Sequence, residues 1–181
     1  MKKVILAMMV SAAALMADGF VIGGDFNYGK VSSDLTASIP GASASITQNT
    51  NTKGVGLKAG YQIDDVRIMA TINSEKYSDD LVVSGEGSLV SYGVEADYII
   101  DNTFLVGITL AKGSKDFGGT DIDFTDVGFK AGATVEQNEG LSVEAGLYLK
   151  NRGYDSYTES GITLDLDERV VGLYVGLSFN L

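Results

Sequence analysis

Four segments of this chain repeat one alternating pattern, apolar–Gly–apolar–polar–apolar–small–apolar, which leaves few folds open. They run Val55 to Tyr61, Tyr92 to Tyr98, Val127 to Ala133 and Val171 to Leu177. A period of two is the signature of a β-strand with two unlike faces. Here one face is apolar throughout and the other carries Gly or a charge. In a soluble sandwich the apolar face would line a core. A repeated hairpin pattern, a secretory leader and a membrane-type chain end point to the inverse, with lipid outside and a narrow polar interior.

Met1 to Ala17 reads as a signal peptide, with Lys2 and Lys3 as the basic region and Val4 to Leu15 as the apolar stretch. Cleavage is expected after Ala17, with Ala14 as the competing site. The barrel then covers residues 18–181. Removing Lys2 and Lys3 leaves 11 of the 13 basic residues against 24 acidic ones, a net charge of −13. That balance excludes a nucleic-acid partner, whose phosphates need Lys and Arg clusters. Cysteine is absent, so no disulfide can hold an exported chain together. A sheet closed on itself can, because it pairs every backbone group and leaves no edge.

Eight strands are expected, at about Phe20–Val31, Lys53–Ile63, Val66–Ser74, Leu89–Ile100, Thr103–Gly113, Thr125–Val135, Leu141–Arg152 and from near Ile162 to the terminus. Asp64-Asp65 and Asp101-Asn102 read as two-residue turns, and Glu136 to Gly140 as a slightly longer one. Exposed loops are expected at Ser32–Thr52, Glu75–Ser88, Ser114–Phe124 and Gly153–Gly161. Each strand offers about ten residues, the length a tilted membrane strand needs. The fold class is therefore all-β: an eight-stranded antiparallel up-and-down transmembrane β-barrel, with short turns at one end and long loops at the other.

Parity assigns every strand residue to a side. Phe20, Tyr61, Tyr98, Phe104 and Phe179 point outward near the short-turn end, and Phe26, Tyr28 and Tyr92 near the loop end, as two aromatic belts would. Lys30, Lys76 and Lys112 point outward at the loop end, where their ammonium groups could meet lipopolysaccharide phosphates. Asp25, Lys58, Arg67, Glu95, Asp97, Lys130, Glu144, Lys150 and Arg152 fall on the inner parity. Eight strands enclose a space that side chains just fill, so these charges are expected to pair in a single lumen ion network. Leu105 is a lone apolar exception on the inner side.

These features together resemble the small eight-stranded outer-membrane barrels of Gram-negative bacteria, the OmpA-transmembrane-domain and OmpX-like group. The sharpest element is the chain end, Tyr174-Val175-Gly176-Leu177-Ser178-Phe179-Asn180-Leu181. Tyr174, Gly176, Phe179 and Leu181 are similar to the family's assembly signal, although the family's last residue is Phe and this one is Leu. The resemblance implies an outer-membrane location, contact with lipid and lipopolysaccharide, and insertion by the barrel assembly machinery. A monomer is expected, with the loops as the surface for an extracellular ligand.

Enzymes occur on this scaffold, but its deacylases and proteases rely on His as general base, and this chain contains none. No cofactor or metal is expected, and catalysis is not. The acidic pairs Asp121/Asp123 and Asp165/Asp167 are the best placed for Ca²⁺, yet no EF-hand spacing accompanies them. The expected role is an envelope structural protein whose loops, Ser32–Thr52 first, serve adhesion-type contacts. A small pore for solutes is the alternative.

Overall fold

The computed structural model describes residues 19–78, 87–116, 121–138, 140–159 and 161–181. The leader and the acidic stretch Asp79 to Glu86 lie outside the described residues. Eight long antiparallel strands form a closed ring: β1 (Phe20–Ile39), β2 (Ala42–Ile63), β3 (Val66–Tyr77), β4 (Ser88–Ile100), β5 (Phe104–Asp116), β6 (Asp121–Asn138), β7 (Leu141–Tyr154) and β9 (Ile162–Asn180). The three-residue β8 (Tyr157–Glu159) pairs with the start of β9. Each ring strand pairs with its sequence neighbour, and β9 returns to β1.

Following the pairing once round the ring fixes the stagger. The path runs Val21, Gly60, Met69, Glu95, Thr109, Gly128, Lys150, Val170 and back to Val31, ten residues along β1 from its start. Eight strands with a stagger of ten tilt by roughly 40° and enclose a cylinder of roughly 8 Å radius to the backbone. That bore is filled by side chains and leaves no column of water.

The long-loop end departs from expectation. Ser32–Thr52 is a hairpin, not an irregular loop: β1 and β2 stay paired from Phe20↔Tyr61 up to Ile39↔Ala42. Pro40 and Gly41 form its tip, with Gly41 at φ 89°. Pro sets the first central angle of such a turn and Gly accepts the positive second one. Above its base the stretch is wetted on both faces, so the apolar outer alternation ends there and parity could not reveal it. Thr36 and Ser45 face each other there with hydroxyls 2.9 Å apart. β1 also pairs with β9 as far as Ser38↔Thr163, so the hairpin stands as part of a sheet β2-β1-β9-β8.

The other boundaries shift the same way. β5 runs on to Asp116 and β6 starts at Asp121, so most of the expected third loop is strand. The expected fourth loop holds the end of β7 and the three residues of β8. Asp121, Asp123, Asp165 and Asp167 consequently sit on strands. At the opposite end, Asp64-Asp65 is the expected two-residue turn, but Asp101-Asn102-Thr103 spans three, with Asp101 and Asn102 at φ 51° and 54°. β6 extends to Asn138 through a bulge between Glu136 and Asn138, which shortens the expected five-residue turn.

The faces are inverted relative to a soluble protein. Leu57, Ile108, Leu173, Val175 and Leu177 are exposed on the outer wall, Leu173 at 58 %, while Lys58 is 4 % exposed. The aromatic residues expected outside are there, with Phe20 and Tyr61 packed edge to face at 5.4 Å. Leu105 points inward as expected. It is joined by Val21, Met69 and Ile99 in the short-turn half and by a cluster of Val31, Tyr77, Leu89, Phe124 and Val170 in the upper half.

The hairpin makes a direct prediction. Cysteines placed at Thr36 and Ser45, in a chain that otherwise has none, will form an intramolecular disulfide in the exported protein. Non-reducing mobility and mass spectrometry would detect it; an irregular loop would leave both thiols free to alkylation.

Candidate functional site

The inward charges fall into two separate tiers. In the lower one, nearer the short turns, three cations alternate with three anions in a closed ring. Lys58 Nζ lies 3.0 Å from Glu144 Oε2 and 3.9 Å from Glu95 Oε1. Lys130 lies 2.6 Å from Glu95 and 3.0 Å from Asp97. Arg67 closes the circle, 2.9 Å from Asp97 and 2.5 Å from Glu144. Every member meets two partners of opposite sign. Ser178 Oγ adds a hydrogen bond to Glu144 Oε1 at 2.9 Å.

Local geometry explains the ring. Lys58, Glu95 and Lys130 hold equivalent places in the repeated segments of β2, β4 and β6. The strand stagger brings them level with Arg67 of β3 and Glu144 of β7. Glycines on the inner face make room: a Cβ on Gly107 would collide with Asp97 Oδ1 and lie 2.9 Å from Lys130 Cε.

The upper tier radiates from Arg152. Its guanidinium donates to both Asp126 oxygens, at 2.8 and 2.9 Å, a two-pronged contact that fixes its plane. It also reaches Glu75 at 3.4 Å, Glu168 at 3.3 Å and the Tyr77 hydroxyl. Lys150 pairs with Glu75 at 2.8 Å and Lys115 with Glu168 at 3.1 Å. Tyr77 and Tyr154 donate to Glu168 at 2.6 and 2.9 Å. Lys115 stands 3.9 Å over the Tyr77 ring and Arg152 4.6 Å over Phe124.

Two features correct the expected single network. Lys150 belongs to the upper tier, and Asp25 makes no ion pair with any described residue. The pairing is divided because Tyr148 and Tyr174 fill the middle of the bore, against glycines of the neighbouring strands. Four upper-tier charges were not anticipated. Glu75 and Lys115 fall just past the strand ends drawn from the apolar alternation. Asp126 and Glu168 lie on the inner parity of their strands, and extending that parity would have found them.

Five basic residues form a belt on the outer wall. Lys30, Lys76 and Lys112 are exposed there as expected, together with Lys53 and Arg169. Lys53 faces Lys76 directly, Lys30 stands two residues above Tyr28, the partner of Lys53, and Arg169 stands diagonal to Lys30. With the tilt allowed for, all five lie within about two residue steps of one level. Tyr174 and Gly176 line the interior, while Phe179 and Leu181 face outward at the closing seam, where Leu181 N donates to Phe20 O at 2.8 Å.

Such an arrangement is costly to break. A buried pair that loses one partner leaves an uncompensated charge, at about 3–5 kcal/mol. Glu144 is fully buried and holds both Lys58 and Arg67. Glu144→Gln will therefore lower stability in urea unfolding from lipid vesicles by about 3–5 kcal/mol. Exchanging Glu144, Lys58 and Arg67 together for apolar residues will cost less than the single change. Equal or additive losses would show that the ring carries no cooperative pairing.

No protein-family model matches this chain, and no curated protein matches it in sequence. Among solved structures, Neisserial surface protein A is similar, with a TM-score of 0.53 at 19 % identity, covering 90 % of this chain and 97 % of that one. The attachment invasion locus protein Ail of Yersinia pestis matches with a TM-score of 0.35 at 13 % identity, covering 90 % of this chain and 100 % of its own. The outer-membrane protease OmpT of Escherichia coli matches with a TM-score of 0.42 at 10 % identity, over 89 % of this chain and 97 % of that one. Ring order, stagger, inverted faces and the first of these likenesses agree: the chain has the fold of the small eight-stranded outer-membrane β-barrel proteins.

Proposed function

We propose that this protein is a monomeric outer-membrane barrel that anchors a rigid β-sheet at the cell surface for adhesion-type contact. The observation that carries the reading is the upward continuation of β1, β2 and β9 past the basic belt. Their paired residues run from Ser32 to the Pro40-Gly41 tip and back, and from Ile162 to Glu168. A tethered loop can vary its shape, whereas a paired sheet presents the same polar surface to every partner. Ile39 and Ile46 stand exposed on it as apolar anchors. The rows of Ser and Thr around them supply hydrogen-bonding groups without charge.

The interior argues against the transport alternative. Two tiers of interlocked ions, separated by tyrosines, interrupt any path along the axis. No catalytic constellation is proposed either: the buried carboxylates and cations of the two tiers are committed to one another. Insertion by the barrel assembly machinery, read through Tyr174, Gly176, Phe179 and Leu181, is part of the same proposal. These residues lie on β9 and its end, the strand that closes the ring against β1.

The belt supplies the anchor. Lys30, Lys53, Lys112 and Arg169 gather positive charge at one level of the outer wall. Anionic headgroups at that level would meet this charge, and lipopolysaccharide phosphates have the right sign. Lys53→Glu will lower the unfolding midpoint in lipopolysaccharide-containing vesicles more than in neutral phosphatidylcholine vesicles. An equal change in both would remove the headgroup contact from the proposal.

The surface role is tested by shortening the hairpin. Removing residues 34–47 and joining Ser33 to Gln48, paired neighbours, through Asn-Gly keeps the strands in register. Cells displaying the shortened protein will bind host cells or matrix less than cells displaying the intact one. Heat-modifiable gel mobility will report the barrel unchanged. Undiminished binding with a folded barrel would sink the adhesion reading.

A further inference from the structure

The sheet that β1, β2, β8 and β9 raise above the belt has two unlike faces. Turned away from the barrel axis are hydroxyls and carboxylates that bond across the strands. Thr36 meets Ser45 at 2.9 Å, Thr47 donates to Asp34 at 2.5 Å, and Thr158 meets Thr163 at 3.0 Å. The inner parity, which carries ions lower down, is apolar here. Leu35 stands between Ile46 and Leu166 in one rung, and Ala37 between Ala44 and Leu164 in the next. Ile39 ends the row beside the Pro40-Gly41 tip. No charged residue lies between Leu35 and Thr52.

This apolar face is covered at its foot and open above. Leu166, next to the mouth of the bore, is 9 % exposed, whereas Ile39 and Ile46 are 51 % and 56 % exposed. Rungs repeat every second residue, about 6.8 Å apart, so three of them span roughly 13 Å along the strands. With the belt at the headgroups, acyl chains do not reach this height. A contiguous apolar surface held open to water marks an interaction site.

The charge around the face selects its occupant. Asp34, Asp116, Asp121, Asp123, Asp155 and Asp167 are exposed above the belt. Among the described residues the one base at that height, Lys115, is buried against Glu168. A second copy of the chain would bring two acidic rims together, and an anionic amphiphile would meet the same repulsion. From this pairing of an apolar face with an acidic surround we propose that the axis-facing side of the raised sheet docks a cationic amphipathic peptide segment. Its apolar side lies on Leu35, Ile39 and Ile46, and its Lys or Arg side chains turn toward the aspartates. The inference rests on the adhesion reading and deepens it, because it names the chemistry of the partner.

The probe is a fluorescein-tagged helical peptide of Leu and Lys, roughly 18 residues long, with a Leu and Glu counterpart. Fluorescence anisotropy is read on phosphatidylcholine nanodiscs carrying the refolded barrel, with empty nanodiscs subtracted. The Leu/Lys peptide will bind the loaded discs, more weakly as salt rises, and the Leu/Glu peptide will not. Ile39→Ser with Ile46→Ser will lower the affinity at least roughly tenfold. Thr36→Ala with Ser45→Ala, on the opposite face, will change it by less than about twofold. Circular dichroism and heat-modifiable mobility will show both variants to be intact barrels. Equal binding of the two peptides, or equal losses in the two variants, would overturn the proposal. So would self-association of the loaded discs that Ile39→Ser with Ile46→Ser abolishes, because a second copy would then occupy the face. The adhesion reading is judged apart from this. Cell binding lost on shortening the hairpin, with no peptide docking, leaves adhesion standing and removes the cationic partner. Docking with undiminished cell binding supports the site and sinks only the adhesion reading.

Discussion

Closure of eight strands with a stagger of ten residues is the constraint on which the rest of this structure depends. In hydrocarbon a backbone group without a partner costs several kcal/mol, so the ring must close. Once it closes at this stagger, the bore is set at roughly 8 Å radius. A bore of that width excludes both a hydrophobic core of ordinary thickness and an open channel. Side chains have to meet across the axis, and their chemistry is then decided by what each strand can carry on its inner face.

The ring of six charges is the answer this sequence gives in the lower half. Lys58, Arg67 and Lys130 reach from three strands to carboxylates on β4 and β7, and every pair except Arg67–Asp97, which face each other on neighbouring strands, ties together strands that share no backbone hydrogen bonds. Lys58 and Glu144 are separated by 86 positions in the chain and Arg67 and Glu144 by 77. Such contacts cannot form before the ring has nearly closed. They therefore report correct closure more than they drive it, and a wrong stagger would leave like charges facing one another. The upper tier does the same work from a different geometry, with one arginine at its hub and tyrosine hydroxyls completing the acceptors of Glu168.

Much of this was legible in the sequence, because a closed sheet in lipid obeys parity strictly. Alternation puts Leu173, Val175 and Leu177 on one face and Lys58 and Glu95 on the other, and the hairpin repeat, the leader and the chain end turn the first outward and the second inward. Parity speaks only where the two faces meet different media, and it falls silent at the loop end. Between the buried Ser33 and Thr52 at its base, the hairpin is open to water on both faces, so its residues lose the alternation that lipid imposes although they are paired up to Ile39 and Ala42. Glu75 and Lys115 were lost with it, since a strand drawn from apolar residues stops at the lipid boundary. The division into two tiers was not legible either. It depends on Tyr148 and Tyr174 entering the bore at mid-height, and so on a stagger that no single strand encodes.

An apolar interior would have been the simpler way to fill the bore, and replacing buried ion pairs by well-packed apolar groups is often neutral or stabilising. The reason for ions lies outside the folded state. With apolar residues on both faces, β9 would read from Val170 to Leu181 as an almost unbroken hydrophobic run. Such a segment is prone to sheet aggregation while unpaired. Alternating charge and glycine keeps each strand half polar until the partner strand arrives. The desolvation of those charges is then offset only in the closed ring, where each ion finds its opposites. Inner-face polarity is thus the feature that lets a chain which must cross water reach lipid, and the paired tiers are its consequence in the finished barrel.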